Sequence, residues 1–503
     1  MVAIALDPVT LQVLVGGLRS VCEEMGAVLI RSAHSPNIKE RQDCSAAIFD
    51  RGGELVMQAE HIPVHLGSMP AAVGAIADEE HRPDDLWIIN DPFQGGTHLP
   101  DITLISPVFS AEQLLGFAAN RAHHADVGGP TPGGMPAFSR TLEEEGIVIG
   151  PTRIDDAGLR ELAAQMRDTP QRLADLRAQR AANLLGQTRL LELASRIGTD
   201  ELTGGMAEVL DYSERRTRAA LAKLPDGSHE AEDVLEAADP EATLRVTATI
   251  EGDRLTLDFA GSSDQDRGNL NCPLPVTRSA SLFAVRVLLD PDAPPSAGAH
   301  RPIDVTAPQG SLLNADPGAA VAGGNVETSS RVADLVLSAL AGLVPAPAQG
   351  QGTMNNLTLS GEGFTYYETI GGGQGGCPDG PGPDAIHVAM SNTLNTPIEA
   401  LESAVPVRVH ELAVRRGSGG EGEHPGGDGI IREIEALAPT TFTLITERRR
   451  HRPAGREGGA PGASGRNLLN GDPLGPKAQG EMAPGDRLRL ETPGGGGWRA
   501  SSK

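Results

Sequence analysis

Aromatic side chains are scarce in this chain: Phe, Trp and Tyr together make up 3% of its 503 residues. Cores must therefore be filled by Leu, Val, Ile and Ala, while the supply of Gly (62) and Pro (38) implies many tight turns. Basic residues are short as well, 42 against 67 acidic ones, for a formal charge of −25. That balance argues against nucleic acid as a partner, because phosphate binding needs clustered Lys and Arg. The one dense basic run, Arg448-Arg449-Arg450 followed by His451 and Arg452, is expected to be solvated loop, since acidic residues surround it in sequence. No apolar run approaches the ~18 residues that mark a membrane-spanning helix. The N-terminus lacks a basic region followed by an apolar core, so no secretory signal is visible. The four cysteines, Cys22, Cys44, Cys272 and Cys377, form no CxxC pair, which excludes a cysteine-based zinc finger and suits a reduced protein, so a cytoplasmic location is expected. A phosphate-binding Gly-rich loop, a dinucleotide fingerprint after a strand and a Gly-x-Ser-x-Gly elbow are all missing. Nucleotide chemistry is thus expected elsewhere, and a serine triad has little support.

What is present reads as several domains, since the length is a few times the common domain size. Asp7-Pro8 is an N-cap followed by Pro in the first turn. Leu11, Leu14, Val15, Leu18, Cys22, Met25 and Leu29 then recur at helical spacing to about Ser32. Short apolar runs at 46–49, 86–89, 102–105 and 115–118 predict strands. Residues 155–223, rich in Ala, Leu, Arg and Glu, predict a helical hairpin, with Leu173, Leu176, Leu184 and Leu191 along a helix from Thr169 to Gly198 and a second over 200–222. Beyond Pro225 the chain looks mostly β. Leu244, Val246, Ala248 and Ile250 alternate with polar residues, turn at Glu251-Gly252-Asp253, and alternate back through Leu255, Leu257 and Phe259. Helices are expected over 279–289 and 329–343. The Gly-rich segments 371–384 and 416–430 and a flexible 452–466 are either substrate-facing loops or plain connections. The fold class is therefore α+β and multidomain, with mixed and antiparallel sheets and a helical hairpin. Its expected parts are an N-terminal α+β region over 1–150, a helical segment over 151–225 and a β-rich region over 226–503.

Chemistry concentrates in the loop Asn90-Asp91-Pro92-Phe93-Gln94-Gly95-Gly96-Thr97-His98-Leu99-Pro100-Asp101. His98 and Asp101 lie three apart, and Pro100 disfavours a continuous helix through them. An imidazole and a carboxylate converging in a turn suit a divalent metal such as zinc or manganese, although taken alone such a pair more often makes a turn-stabilising hydrogen bond. A strand running into His123-His124-Ala125-Asp126 offers a further imidazole. Adjacent side chains at a strand end point to opposite faces, so only one of the two histidines can readily face a shared site. Asp43, just before a predicted strand, is another candidate ligand. Gly323–Ser329 could cap a helix through Thr328, and the small polar groups of Asp384–His387 and Ser391–Pro397 could hydrogen-bond a substrate amide or simply make turns.

Taken in order along the chain, these motifs resemble the hydantoinase B/oxoprolinase family. That family includes the B components of ATP-dependent N-methylhydantoinases, the C-terminal half of 5-oxoprolinases, the β components of caprolactamases and the α components of acetone-type carboxylases. The resemblance runs from Asp7-Pro8-Val9-Thr10 through Asn37–Ser45, the Asn90–Asp101 loop, His123–Gly129, Gly268–Pro273, Gly324–Thr328, Asn392–Pro397 and Gly417–Gly420 to the Gly-rich tail before Trp498. It implies a metal site of Asp43, His98, Asp101 and His123. His123 is favoured over His124 because related members carry Trp at the latter position; Cys44 stands where an aromatic residue is expected. It also implies a divided reaction, in which a partner ATPase of hydantoinase A type phosphorylates a small cyclic amide (a hydantoin, 5-oxoproline or a lactam). This chain would then open the ring hydrolytically, with Asp126 or Glu40 handling protons or holding a ligand histidine. On that reading the protein works as a hetero-oligomer. The alternatives are the α component of an ATP-dependent ketone carboxylase and a non-catalytic scaffold for an ATPase.

Overall fold

The computed structural model describes residues 7–60, 62–65 and 67–501. Helix α1 spans Pro8–Ser32, with the Asp7 side chain accepting from the Val9 and Thr10 amides and the expected stripe from Leu11 to Leu29 buried. A short helix α2, Pro36–Lys39, leads into the first sheet, which also receives α3, Met69–Gly74. Its strands are β1 (Cys44–Asp50), β2 (Leu55–Glu60), β3 (Trp87–Ile89), β4 (Asp101–Ser110), β5 (Gln113–His123) and β6 (Thr152–Arg153). They lie in the order β2-β1-β5-β4-β3-β6, every neighbouring pair antiparallel. Both faces are covered, which is why β1 reads as a continuous apolar run rather than an alternating one. Ala46 and Ile48 pack with α1, and Ala47 and Phe49 pack with α3. Each large side chain buried there contributes about 1.5–3 kcal/mol relative to exposure.

The helical segment consists of α4 (Asp156–Ala163), α5 (Thr169–Ile197) and α6 (Thr199–Leu221). The hairpin is as expected, but the phase of α5 is not: Leu184 and Leu191 are exposed. The helix instead meets the sheet through Gln179 and Asn183, which bond Asn120 of β5 and carbonyls of β4. This polar seam runs beside apolar contacts made by Leu176, Ala178, Ala182 and Leu190.

A second sheet holds β7 (Gly227–Leu235), β8 (Ala242–Glu251), β9 (Arg254–Asp258) and β10 (Ile303–Thr306) in the order β10-β9-β8-β7. It is mixed, because β10 runs parallel to β9. The buried residues of β8, Leu244, Val246, Ala248 and Ile250, share a core with α7 (Leu274–Leu289) and, beyond the short α8 (Ala297–His300), with α9 (Ser329–Leu340). One π-helical turn, Gly324–Thr328, runs directly into α9. Thr328 does not cap it; its hydroxyl donates to the Leu270 carbonyl.

The remaining elements are β11 (Asn356–Gly361), β12 (Phe364–Glu368), α10 (Ile398–Ala404), β13 (Val407–Arg415), β14 (Gly429–Ala436), β15 (Thr440–Ile445), β16 (Arg466–Leu469), β17 (Asp472–Leu474), β18 (Lys477–Met482) and β19 (Arg487–Glu491). They form two antiparallel sheets, β12-β11-β15-β18 and β13-β14-β19-β16-β17, joined by one core of Leu357, Leu359, Phe442 and Leu444 against Ile430, Ile434, Leu488 and Leu490. The α+β, multidomain class with mixed and antiparallel sheets is thus the observed one. Among the described residues, no helix is long and apolar enough to cross a membrane.

Two expectations are met only in part in this half. The Gly-rich segments are irregular, as expected of loops or connections, but backbone bonds tie them together: Gly495 donates to the Gly427 carbonyl, Gly427 to that of Gln374, and Gly497 to that of Ala460 in the stretch expected to be flexible. A Cβ on Gly495 would sit 2.0 Å from the Gln374 carbonyl oxygen, so backbone packs directly on backbone there. The basic run is solvated only in part: Arg450 and Arg452 are exposed, but Arg448 is 2% exposed and pairs with Asp233 at 2.9 Å and Asp334 at 3.5 Å. Its partners are remote in sequence, and a buried cation requires them.

Candidate metal centre

Three features of the first sheet bring the candidate residues together. The first is cross-strand register, which pairs Asp101 on β4 with His123 on β5. The second is the pleat. Phe117, Ala119 and Arg121 face α3, whereas Ala118, Asn120 and Ala122 face α1 and α5. His123 continues the first set towards a cavity, and His124 continues the second, bonding Gln179 of α5 through Nε2 at 2.9 Å. Burial pushes the His124 imidazole down to about 4, so it is neutral. The third is the loop after β3. Asn90 pins it by donating to the Leu99 and Ile147 carbonyls and accepting from the Ile149 amide. Asp91 accepts from the Phe93 amide, and Gly95 turns the chain at φ +112. A Cβ on Gly95 would lie 2.5 Å from the Ala72 backbone, so only glycine fits.

The result is a buried carboxylate ringed by imidazoles. Asp101 Oδ1 lies 3.1 Å from His123 Nδ1 and 3.2 Å from His98 Nε2, and Oδ2 lies 3.6 Å from His65 Nε2. Thr97 donates its hydroxyl to Oδ2 at 2.6 Å. Burial opposes the Asp101 charge, but His98, His123 and His65 outweigh it and hold the carboxyl well below the usual carboxylate range. One donor atom from each of His98, Asp101 and His123 lies within 4.8 Å of the others. His98 Nδ1 and Nε2, His123 Nε2 and His65 Nε2 are buried without hydrogen-bond partners. Unpartnered ring nitrogens around one carboxylate are costly unless something binds them. Two imidazoles and a carboxylate form a borderline donor set that suits zinc or manganese, so the residues fit a divalent cation.

The surrounding cavity, about 310 Å³ counting all space between atoms, is also lined by Asp43, His65, Asn325, Met354, Tyr367 and several hydroxyl side chains. Asp43 thus reaches the site but stands outside the tight group of three. His65 was not singled out from the sequence; its four-residue spacing from His61 was the one local hint. Its Nδ1 is held by Ser45 Oγ at 2.9 Å, which leaves Nε2 directed at Asp101, and burial lowers its pKa from the ordinary histidine value. The two residues expected to handle protons do not line the cavity. Asp126 has both carboxylate oxygens taken, by the Gly128, Gly133 and Arg167 amides and the Arg167 guanidinium. Glu40 sits half-buried at the end of α2.

Behind the cavity a polar array supports His123. The ring stacks on Tyr367 at 4.6 Å, Tyr367 donates to Asn356 Oδ1 at 2.7 Å, and Asn356 donates to Glu327 Oε1 at 2.7 Å. Burial, with the Glu447 carboxylate nearby, pushes Glu327 up to about 8, so it is protonated at neutral pH.

The sequence profile of hydantoinase B/oxoprolinase matches residues 7–500. A protein of Methanocaldococcus jannaschii is 38% identical, over 98% of this chain and 91% of its own. The 5-oxoprolinase of Dictyostelium discoideum is 37% identical over 98% of this chain, and this chain spans 40% of that protein's length. A putative B component of a D-/L-hydantoinase from a Pseudomonas strain is 31% identical over 92% of this chain and 83% of its own. Among solved structures, the ATP-dependent caprolactamase of Pseudomonas jessenii superposes with a TM-score of 0.89 at 26% identity, covering 98% of this chain and 91% of that one. Acetone carboxylase superposes at 0.88 with 18% identity over 98% and 76%, a likeness of fold.

Proposed function

The chain belongs to the hydantoinase B/oxoprolinase family, and from that membership we propose that it is the metal-dependent hydrolytic subunit of an ATP-dependent cyclic-amide hydrolase. The observation that carries the reading is the Asp101 carboxylate with three buried imidazoles whose cavity-facing nitrogens lack partners. The substrate is a small ring amide of the hydantoin, 5-oxoproline or lactam kind, activated by phosphorylation on a separate ATPase-type subunit, and the working enzyme is a hetero-oligomer. Likeness to a hydantoinase B component and to a caprolactamase over most of both chains supports the divided arrangement.

His98, Asp101 and His123 hold the divalent cation, with Asp43 and His65 beside them. When bound, such a cation supplies Lewis acidity toward a carbonyl oxygen and toward water. Thr97 and the imidazoles keep Asp101 ionised and aimed. Ser45 orients the His65 ring, and the Tyr367 ring holds His123 in plane. The Asn325 amide oxygen, buried and unpaired on the cavity wall, accepts from a ring N–H.

Reconstitution tests this. The chain with an ATPase-type partner should open hydantoin, 5-oxoproline or caprolactam only when ATP and both proteins are present. Turnover without ATP, or carboxylation of acetone with bicarbonate in place of ring opening, would refute it.

A further inference from the structure

Thr369, Ser391 and Thr393 line the same cavity, each buried, and they belong to one hydrogen-bonded cluster. Arg41, fully buried, donates to Thr369 Oγ1 at 2.7 Å, to Thr393 Oγ1 at 3.3 Å and to the Tyr367 carbonyl at 2.7 Å. Thr369 and Thr393 bond each other at 2.7 Å. His387 meets Thr393 through Nε2 at 3.3 Å and Ser391 through Nδ1 at 2.7 Å, and Asn395 also bonds its ring.

Counting protons gives the cluster a direction. A guanidinium only donates, so Arg41 consumes hydroxyl oxygens and offers no acceptor. Burial and the Arg41 charge push His387 down to about 3, so the ring is neutral and has one accepting nitrogen. The three hydroxyl hydrogens therefore meet two acceptors: the Thr369–Thr393 bond takes one, and the ring nitrogen takes another from Thr393 or Ser391. Whichever way the bonds run, one hydroxyl hydrogen is left over on a cavity-lining residue. A buried donor without an acceptor is costly, and a ligand oxygen relieves it.

Charge points the same way. Among the described residues Arg41 has no carboxylate ion-pair partner, and its Nε is also unmatched. A buried cation in that state favours an anion nearby. We propose that Thr369, Ser391 and Thr393, backed by Arg41, form a subsite for an anionic oxygen group on the ring substrate, either a ring carboxylate or the phosphoryl group of the activated ring. This deepens the cyclic-amide reading and rests on it for the identity of the ring.

The test is calorimetric titration of the full chain, stripped of cations by chelation, with L-5-oxoproline, its uncharged counterpart 2-pyrrolidinone, and inorganic phosphate. The expected result is binding of at least one anionic probe at least about tenfold tighter than the neutral ring, and loss of that preference in Ser391→Ala, Thr393→Val or their combination with Thr369→Val. A preference confined to 5-oxoproline assigns the subsite to a ring carboxylate. Phosphate binding with both rings held alike assigns it to the phosphoryl group. Equal binding of neutral and charged rings with no phosphate binding overturns the proposal, and so does anion binding unchanged in the variants. If the triple variant does not fold, the wild-type comparison and the single variants still decide. No ATP, partner or ring opening is needed, so failure of the hydrolytic reading in the reconstituted complex is seen separately.

Discussion

Glu327→Gln isolates a protonated carboxyl behind the candidate metal centre. In the folded chain Glu327 Oε1 accepts from the Met354 amide and from Asn356, while Oε2 has no partner. Burial raises its folded value to about 8 from an ordinary 4.5. The sign follows from proton counts. Between those values the unfolded chain has released a proton that the folded chain retains, so wild-type stability falls as pH rises through that window and is unaffected below it. Each pH unit well inside the window costs about tenfold in the folding constant, and the total from pH 5 to 8 is about 400-fold, or about 3.5 kcal/mol. Glutamine carries no such proton. It keeps the accepting oxygen but places an amide N–H where Oε2 had no partner, a pH-independent cost of about 1–3 kcal/mol. The variant should therefore be the less stable protein near pH 5 and the more stable one near pH 8. Urea unfolding of both proteins at half-unit pH steps measures the difference, and infrared difference spectra should lose one protonated-carboxyl band in the variant. Parallel pH profiles with no such band would refute the reasoning.

His124→Gln should leave bound cation unchanged while flattening the acid limb of stability. The imidazole sits near 4 when folded against an ordinary 6.5, so wild-type stability drops as pH falls through that range, and urea unfolding at pH 4.5 and 7 shows whether it does. Gly95→Ala meets both a positive φ and the Ala72 backbone at 2.5 Å. It should lower the melting temperature by the equivalent of about 1–3 kcal/mol and, by displacing the loop that carries His98, reduce cation content measured on the same sample.

Locally coded features were legible. α1 follows from its cap and seven-residue stripe, and β8–β9 from strict alternation around a Gly turn. The convergence of His98, Asp101 and His123 could be anticipated because Asp101 begins β4, His123 ends β5 and His98 lies in the turn just before Asp101, and the opposite facing of His123 and His124 follows from the pleat. His65 could not. It follows Ile62-Pro63-Val64 in a short 3₁₀ turn with no periodicity, and its relation to Asp101 exists only once Ser45 and β4 are placed. The polar contact of α5 with the sheet and the buried Arg448 share a cause: their partners, Asn120, Asp233 and Asp334, are set by tertiary packing that no local pattern encodes. The hydroxyl cluster likewise joins Arg41 to residues more than 300 positions away.

Elemental analysis of the purified full chain bears most directly on the site around Asp101. About one equivalent of a divalent cation per chain is expected, lost in His98→Ala and His123→Ala together with ATP-dependent ring opening by the reconstituted complex, and retained in His124→Gln. A chain that holds no stoichiometric cation, or a His98→Ala complex that turns over like wild type, would contradict it.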